Sequence, residues 1–164
     1  VESQVDVGSK FTFVLPKFTG KELISEGLNK AIKEGQTLSV LIFDIKNFPA
    51  VQQKIGEEKA ALLVHTFWEL IKDNLRREGD NLGVEDIHTI LSVLPGTEKK
   101  NATLALDRMR SVLRACLLKE GLKEEVDLGC EIVAYPDDGK TEEELISKIT
   151  DIIVTQREVY VTNQ

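Results

Sequence analysis

The stretch Leu38-Ser-Val-Leu-Ile-Phe-Asp44-Ile-Lys-Asn-Phe48 decides the fold of this chain. Residues 37–44 are a nearly continuous apolar run, which is typical of a central β-strand covered on both faces. Asn47 can cap a helix, and Pro49 is tolerated in a first helical turn. The stretch therefore predicts a buried strand that turns directly into a helix.

The sequence on either side of this strand predicts further helices and strands. Apolar residues follow helical spacing over residues 20–35, where Gly35 is a natural stop, and again after a break at Gly56. The other predicted elements are a hairpin of strands 83–86 and 88–94, a helix over 102–117, a strand over 126–133, a helix over 142–155 and a last strand over 158–161. The order βααββαβ predicts an α/β (α+β) fold with a ferredoxin-like core, in which helices flank a mainly antiparallel sheet.

Composition limits the classes of function. With 164 residues, 41% hydrophobic and 30% charged, the chain has the balance of a soluble globular domain. A net charge of −7 argues against a nucleic-acid surface. No apolar run approaches the roughly 20 residues of a membrane span, and no secretion signal pattern is seen. We therefore expect a cytoplasmic domain without membrane contact. Cys116 and Cys130 lack metal-ligand spacing and are expected to be buried thiols.

Three predicted strand ends carry motifs that point to a family. Asp44 ends the first strand, and Leu91-Ser-Val-Leu-Pro-Gly-Thr97 and Ala134-Tyr-Pro-Asp-Asp-Gly139 mark two more. In this order and spacing, the chain resembles the GGDEF domains of diguanylate cyclases from about residue 20 to the C-terminus. The resemblance implies a nucleotide-cyclase-like core and a degenerate GGDEF domain over residues 18–164.

The family's Gly-Gly-Asp-Glu-Phe signature, counted back from Pro95, falls on Asp86-Ile87-His88-Thr89-Ile90. The resemblance implies a metal carboxylate at the third position, where this chain has His88, and imidazole is a poor ligand for Mg²⁺. A second alignment places Gly83-Val84-Glu85-Asp86-Ile87 at the signature, which keeps one glycine and an acidic ligand but lengthens the strand before Pro95.

Other family positions have changed as well. Asp44 matches the family's metal aspartate, whereas the two guanine-contacting residues fall on Gln52 and Ala61. The lysine of the first loop falls on Pro49, and the phosphate-binding lysine near the C-terminal helix falls on Glu158. These changes predict that the domain is not an enzyme and has no cofactor, with at most a vestigial Mg²⁺ site at Asp44 and Gln52.

The same residues also have structural interpretations. Asp44 at a strand end is equally consistent with a carboxylate that accepts backbone hydrogen bonds in a turn. For His88, strand alternation favours a solvent-facing side chain over a ligand.

Arg77-Glu-Gly-Asp80 lies at the spacing of the family's inhibitory Arg-x-x-Asp site. The resemblance implies that Arg77 and Asp80 bind cyclic di-GMP. A guanidinium can pair with a guanine edge or a phosphate, and a carboxylate can accept hydrogen bonds from guanine. The alternative is that both residues only complement the end of a helix.

Residues 1–16 alternate in the manner of strands around Gly8-Ser9. They resemble the last hairpin of a histidine kinase ATPase domain, which implies that residues 1–17 are its tail end. Because an isolated hairpin is marginally stable, we expect this segment, with Phe11 and Phe13, to be disordered or paired with a neighbouring chain.

Three functional hypotheses follow. The first is a catalytically inactive GGDEF-like regulatory domain of a sensor histidine kinase in two-component signal transduction, which senses cyclic di-GMP through Arg77 and Asp80. The second is a nucleotide-independent module for homodimerisation or binding another protein. The third is a residual diguanylate cyclase with a metal site at Asp44 and Glu85.

Overall fold

The computed structural model describes residues 2–4, 8–10 and 19–162. Strands β1 (Glu2–Gln4) and β2 (Gly8–Lys10) pair with each other in an antiparallel two-stranded sheet. Gly8 and Ser9 lie within β2, opposite Gln4 and Ser3, so they do not form the predicted turn. Phe11 and Phe13, which the alternation assigns to the same hairpin, lie outside the described residues.

The remaining elements form one sheet with helices on both of its faces. They are α1 (Gly20–Glu34), β3 (Leu38–Ile45), α2 (Phe48–Ile55), α3 (Glu57–Asn74), β4 (Asn81–Asp86), β5 (Thr89–Pro95), α4 (Lys99–Lys119), β6 (Leu128–Tyr135) and α5 (Glu142–Thr162). From β3 to β6 the order is βααββαβ, which confirms the predicted fold class. The predicted strand over 158–161 is wrong, because α5 continues through these residues. No glycine or proline interrupts the chain between Glu142 and Thr162.

The sheet has the strand order β4-β5-β3-β6, and every neighbouring pair is antiparallel. All residues of β3 are buried because this strand lies inside the sheet and carries helices above and below. Asp44, near its end, pairs with Thr89 of β5 on one side and Gly129 of β6 on the other. The register therefore places a buried carboxylate beside the start of β5.

Side-chain alternation along β3 divides the core between the two faces of the sheet. Leu41, Phe43 and Ile45 pack with α2, α3 and α4, whose buried residues include Phe67 and Met109. On the other face, a second cluster joins α1 and α5 to the sheet; its members include Leu28, Val40, Ile42, Leu91, Val93, Val133, Leu145, Ile149 and Ile153. α5 is therefore fixed against the sheet by an apolar stripe.

Of the two helix ends predicted from the sequence, the end of α1 at Gly35 is confirmed and the cap of α2 by Asn47 is not. Gly35 ends α1 with φ 63°, a left-handed conformation that glycine adopts without strain, as predicted. Asn47 occupies the position before α2, but its side chain makes no cap. Its Nδ2 donates to Glu125 O at 2.7 Å, and its Oδ1 accepts from Asp127 N at 2.9 Å. Asn47 thus ties α2 to the connection before β6.

Within the described ranges, no helix is long and apolar enough to cross a membrane. Both cysteines are free; Cys130 is buried, whereas Cys116 is only partly buried. Burial raises the pKa of both thiols, in keeping with a structural role.

Candidate functional site

A cluster of polar side chains lies where β3, the β4–β5 hairpin and α5 meet. β3 supplies Asp44, the hairpin supplies Asp86, His88 and Thr89, and α5 supplies Arg157. We call these five residues the Arg157 cluster. Ile87 and His88 form the turn between β4 and β5, so the turn itself brings the hairpin residues to Asp44.

The guanidinium of Arg157 lies at the centre of this cluster. Its Nη2 lies 2.8 Å from Asp44 Oδ1, 2.8 Å from Asp86 Oδ2 and 2.7 Å from Thr89 Oγ1. Its Nε donates to Asp44 Oδ2 at 3.3 Å. One cation of the chain therefore bridges two carboxylates.

Asp44 is fully buried, and its partners are side chains rather than the backbone N–H groups of a turn. Thr89 Oγ1 donates to Asp44 Oδ1 at 2.8 Å. Burial by itself raises the pKa of the Asp44 carboxyl, but hydrogen bonds from His88, Arg157 and Thr89 outweigh it and hold the pKa below its usual value. Asp44 is therefore a carboxylate at neutral pH.

Asp86 has a similar environment. Burial raises the pKa of its carboxyl, whereas the backbone N–H of His88 and the guanidinium of Arg157 lower it, with a net lowering. Burial lowers the pKa of Arg157, but Asp44 and Asp86 raise it by more. All three groups are thus held in their charged forms.

His88 does not face solvent, contrary to the prediction from strand alternation. Its side chain is only 14% exposed. Its ring stacks on Phe48, with a centroid distance of 4.7 Å and an interplanar angle of 16°. His88 Nδ1 lies 3.3 Å from Asp44 Oδ1. The alternation rule fails because His88 lies in the hairpin turn and not in a strand.

The sequence assigned the phosphate-binding position on the C-terminal helix to Glu158, and Arg157 was missed. Glu158 is exposed, whereas its neighbour Arg157 reaches the cluster. The sequence does identify Arg157 by its spacing. Ile149, Ile153 and Arg157 lie four residues apart and therefore share one face of α5.

The residues of the cluster do not fit a bound Mg²⁺ ion, which the family resemblance implies. Mg²⁺ needs oxygen ligands in near-octahedral geometry, whereas the position between Asp44 and Asp86 holds a guanidinium. Glu85, the alternative acidic ligand, is exposed, and its Oε2 lies beside Gly20 at the start of α1. Gln52, half-buried on α2, takes no part in the hydrogen bonds described above for the cluster.

A second polar site lies at the end of α3. The backbone N–H of Arg77 donates to Asp80 Oδ2 at 3.1 Å, and Asp80 N donates to Arg77 O at 3.2 Å across a turn that contains Gly79 at φ 98°. Arg77 Nη1 donates to Thr97 Oγ1 at 2.7 Å and to Gly96 O at 3.2 Å. The Arg-x-x-Asp motif is thus one ordered turn, held against the loop after β5.

Arg108 of α4 also reaches this region, although it lies outside the Arg-x-x-Asp motif. Its Nη2 donates to Asn74 O, at the last residue of α3, over 2.9 Å. Burial and the nearby charge of Arg76 lower the pKa of Arg108. We call Arg76, Arg77, Asp80 and Arg108 the α3-end site. The sequence does not single out Arg108, because Arg108 and Arg110 both flank the core residue Met109.

Two buried atoms of the α3-end site make no hydrogen bond within the described part of the chain: Asp80 Oδ1 and Arg108 Nε. Burial raises the pKa of Asp80, although the Arg77 backbone and charge oppose the shift. Native proteins pair most buried polar atoms, so each exception calls for an explanation.

A four-stranded antiparallel sheet with helices on both faces and a polar cluster at its hairpin defines an α+β domain of the nucleotide-cyclase type. The family model described as "Diguanylate cyclase, GGDEF domain" matches residues 10–158. This chain therefore belongs to the GGDEF family. A search among curated proteins found no match.

Several solved structures share the fold. The active GGEEF domain of a diguanylate cyclase from Vibrio cholerae has a TM-score of 0.67 at 14% identity, over 84% of this chain and 88% of that chain. The GGDEF domain of YfiN, also called TpbB, from Pseudomonas aeruginosa has a TM-score of 0.65 at 19% identity, over 84% and 87%. A microbial GGDEF domain studied for its interaction with cyclic di-GMP has a TM-score of 0.65 at 14% identity, over 85% and 84%.

The prediction that this domain is not an enzyme is wrong. It rested on the changed residues at positions 86–90 and on Pro49, Gln52, Ala61 and Glu158, whereas the cyclase family model matches nearly the whole chain and the fold is that of diguanylate cyclases. These findings place the chain in the diguanylate cyclase family. No comparison supports a histidine kinase parent, and the degenerate signature and the domain boundary at residue 17 stay predictions.

Proposed function

We propose that this GGDEF domain binds cyclic di-GMP at the α3-end site and thereby regulates the protein that carries it. The observation that carries the proposal is the pair of unpartnered buried atoms, Asp80 Oδ1 and Arg108 Nε, beside the exposed side chain of Arg77. An acceptor and donors are thus gathered at the end of one helix.

The chemistry of a cyclic dinucleotide suits these groups. The N–H groups of guanine can donate hydrogen bonds to a carboxylate such as that of Asp80. Guanidinium groups can donate hydrogen bonds to the phosphate oxygens. Arg76, Arg77 and Arg108 also concentrate positive charge in a chain with a net charge of −7. A dianionic ligand is therefore favoured at this site over the rest of the surface.

A regulatory role requires that the ligand bind one arrangement of the protein better than another. The Arg77 side chain contacts Gly96 and Thr97, between β5 and α4. A ligand that draws Arg77 away changes the contacts of this loop. The solved GGDEF domain that interacts with cyclic di-GMP lends support by likeness of fold.

Isothermal titration calorimetry with cyclic di-GMP tests the proposal. We expect saturable micromolar binding by the wild-type chain and its loss in Arg77→Ala. The matched control is Arg114→Ala, which removes an exposed arginine of α4 and is expected to bind as tightly as the wild type. The proposal would be refuted if Arg77→Ala binds cyclic di-GMP as tightly as the wild type, or if the wild-type chain does not bind it.

Cyclase activity is the second candidate, favoured by the family match and by a buried carboxylate, Asp44, beside the hairpin. In this candidate, Arg157 has to release Asp44 and Asp86 before a metal ion can bind. Incubation with GTP and Mg²⁺ or Mn²⁺ tests it by chromatography of the products. Cyclase activity would be supported if the wild-type chain forms cyclic di-GMP and Asp44→Asn does not. A chromatogram equal to that of the buffer blank would refute it.

If the chain neither binds cyclic di-GMP nor converts GTP, the hypothesis of a protein-interaction module is favoured instead. Light scattering across a range of protein concentrations would then show whether the module binds a second copy of itself.

A further inference from the structure

We infer that the guanidinium of Arg157 occupies the position between Asp44 and Asp86 as an internal cation, so the Arg157 cluster does not take up a divalent metal ion. This inference concerns a different site from the α3-end site and does not depend on cyclic di-GMP binding.

The positive charge of Arg157 neutralises part of the negative charge of the Asp44 and Asp86 carboxylates. Nη2 of Arg157 lies 2.8 Å from one oxygen of each, and Nε contacts the second oxygen of Asp44. Thr89 Oγ1 and His88 Nδ1 approach Asp44 Oδ1 as well. Both oxygens of the buried carboxylate thus already have partners.

A divalent ion would have to displace this arrangement. Mg²⁺ binds its oxygen ligands at about 2.0–2.1 Å. The carboxylate oxygens that it would need are the ones that Arg157 already contacts. Two cations so close together repel one another strongly in a buried environment. The third nearby group, His88, offers nitrogen rather than the oxygen that Mg²⁺ prefers. The internal ion pairs therefore exclude the metal.

Arg157 also connects the other residues of the Arg157 cluster to the C-terminal helix. It extends the sheet-facing stripe of Leu145, Ile149 and Ile153 by one more turn of α5. The guanidinium thus joins α5 to the hairpin through its contacts with Asp86 and Thr89. Its loss uncovers two like charges and releases the end of the helix.

The experiment measures Mn²⁺ binding to the full chain by electron paramagnetic resonance, together with melting curves in EDTA and in millimolar Mn²⁺. The chains are the wild type, Arg157→Gln, Arg157→Lys and the control Arg114→Gln. We expect no saturable binding and identical melting temperatures in the two buffers for the wild type, Arg157→Lys and Arg114→Gln.

For Arg157→Gln we expect a melting temperature in EDTA that is lower by roughly 5–10 °C, because two carboxylates lose their counter-ion. We also expect Mn²⁺ to bind at least about tenfold more tightly than to the wild type and to restore part of the lost stability. Lysine at position 157 keeps the charge and should keep the metal out.

Saturable Mn²⁺ binding that stabilises the wild-type chain would overturn the inference, as would a folded Arg157→Gln chain that gains no Mn²⁺ affinity. If Arg157→Gln does not fold, the wild-type and Arg157→Lys measurements decide, because metal binding by either contradicts a resident guanidinium.

Discussion

Arg157 and Asp44 lie 113 residues apart in the sequence and are joined by two hydrogen bonds, from Nη2 at 2.8 Å and from Nε at 3.3 Å. The pair connects the C-terminal helix to the central strand of the sheet. Because Asp44 is fully buried, its charge is tolerated only with partners such as Arg157 and Thr89. The structure of the Arg157 cluster and its charge balance thus depend on the same ion pair.

The contribution of this ion pair to stability should depend on pH. The folded-state pKa values of Asp44 and Asp86 are lowered, so their stabilisation is fully present above the unfolded value of about 3.9 and is lost as the pH falls through the folded values. We expect Arg157→Gln to lower the free energy of unfolding at pH 7 by about 2–3 kcal/mol, less than the roughly 3–5 kcal/mol of a fully buried pair, because the Arg157 side chain is 31% exposed. The difference from wild type should shrink as the pH falls below about 4.

Urea unfolding at several pH values measures this effect, with Arg114→Gln as the control for loss of an arginine. A difference between Arg157→Gln and wild type that stays constant from neutral to acid pH would contradict the assigned ion pairs.

Asn47→Ala should destabilise the domain, although the residue makes no helix cap. The change removes both hydrogen bonds between α2 and the connection before β6, at 2.7 and 2.9 Å. Leaving backbone groups of Glu125 and Asp127 without these partners should lower the free energy of unfolding by about 1–3 kcal/mol. Asn101→Ala, at an exposed position of α4, is the control in urea unfolding and should change little. Equal effects of the two substitutions would refute the assigned role.

Arg108→Gln should weaken cyclic di-GMP binding by about 10- to 150-fold, since one charge-assisted hydrogen bond is worth about 1.5–3 kcal/mol. The helical fold should persist, because Arg108 is only partly buried on α4. Calorimetry measures the affinity and circular dichroism checks the fold. Unchanged affinity in the folded variant would exclude Arg108 from the ligand site.

Salt should weaken the same binding. The α3-end site combines three arginines with one carboxylate, and rising ionic strength screens charge attraction as the Debye length falls from about 30 Å at 0.01 M to about 8 Å at 0.15 M. Affinity measured across this range should decline. An affinity independent of salt would favour a ligand held by apolar contacts.

The central part of the fold could be predicted because its sequence pattern is local. A continuous apolar run identifies β3, and the spacing up to Gly35 identifies α1. The end of the chain was harder, since Val159 and Val161 give short-range alternation that resembles a strand, whereas α5 continues through both. A short apolar pattern does not distinguish the two periodicities.

The sites depended on contacts that sequence order does not reveal. Asp44 and the Arg77 to Asp80 turn could be singled out by motif spacing, but the partners of Asp44 come from a distant helix and from a turn. His88 was misplaced because the alternation rule was applied to a turn residue. Arg157 was missed by one position, although its spacing from Ile153 places it on the sheet-facing side of α5.

The measurement that tests the central claim most directly is a ¹⁵N–¹H NMR titration of the wild-type chain with cyclic di-GMP. The account predicts saturable shifts of the amide signals of Arg77, Asp80 and Arg108 at micromolar ligand, and none of this response in Arg77→Ala. Shifts confined to the hairpin turn at Ile87 and His88, or no shifts at all, would contradict it.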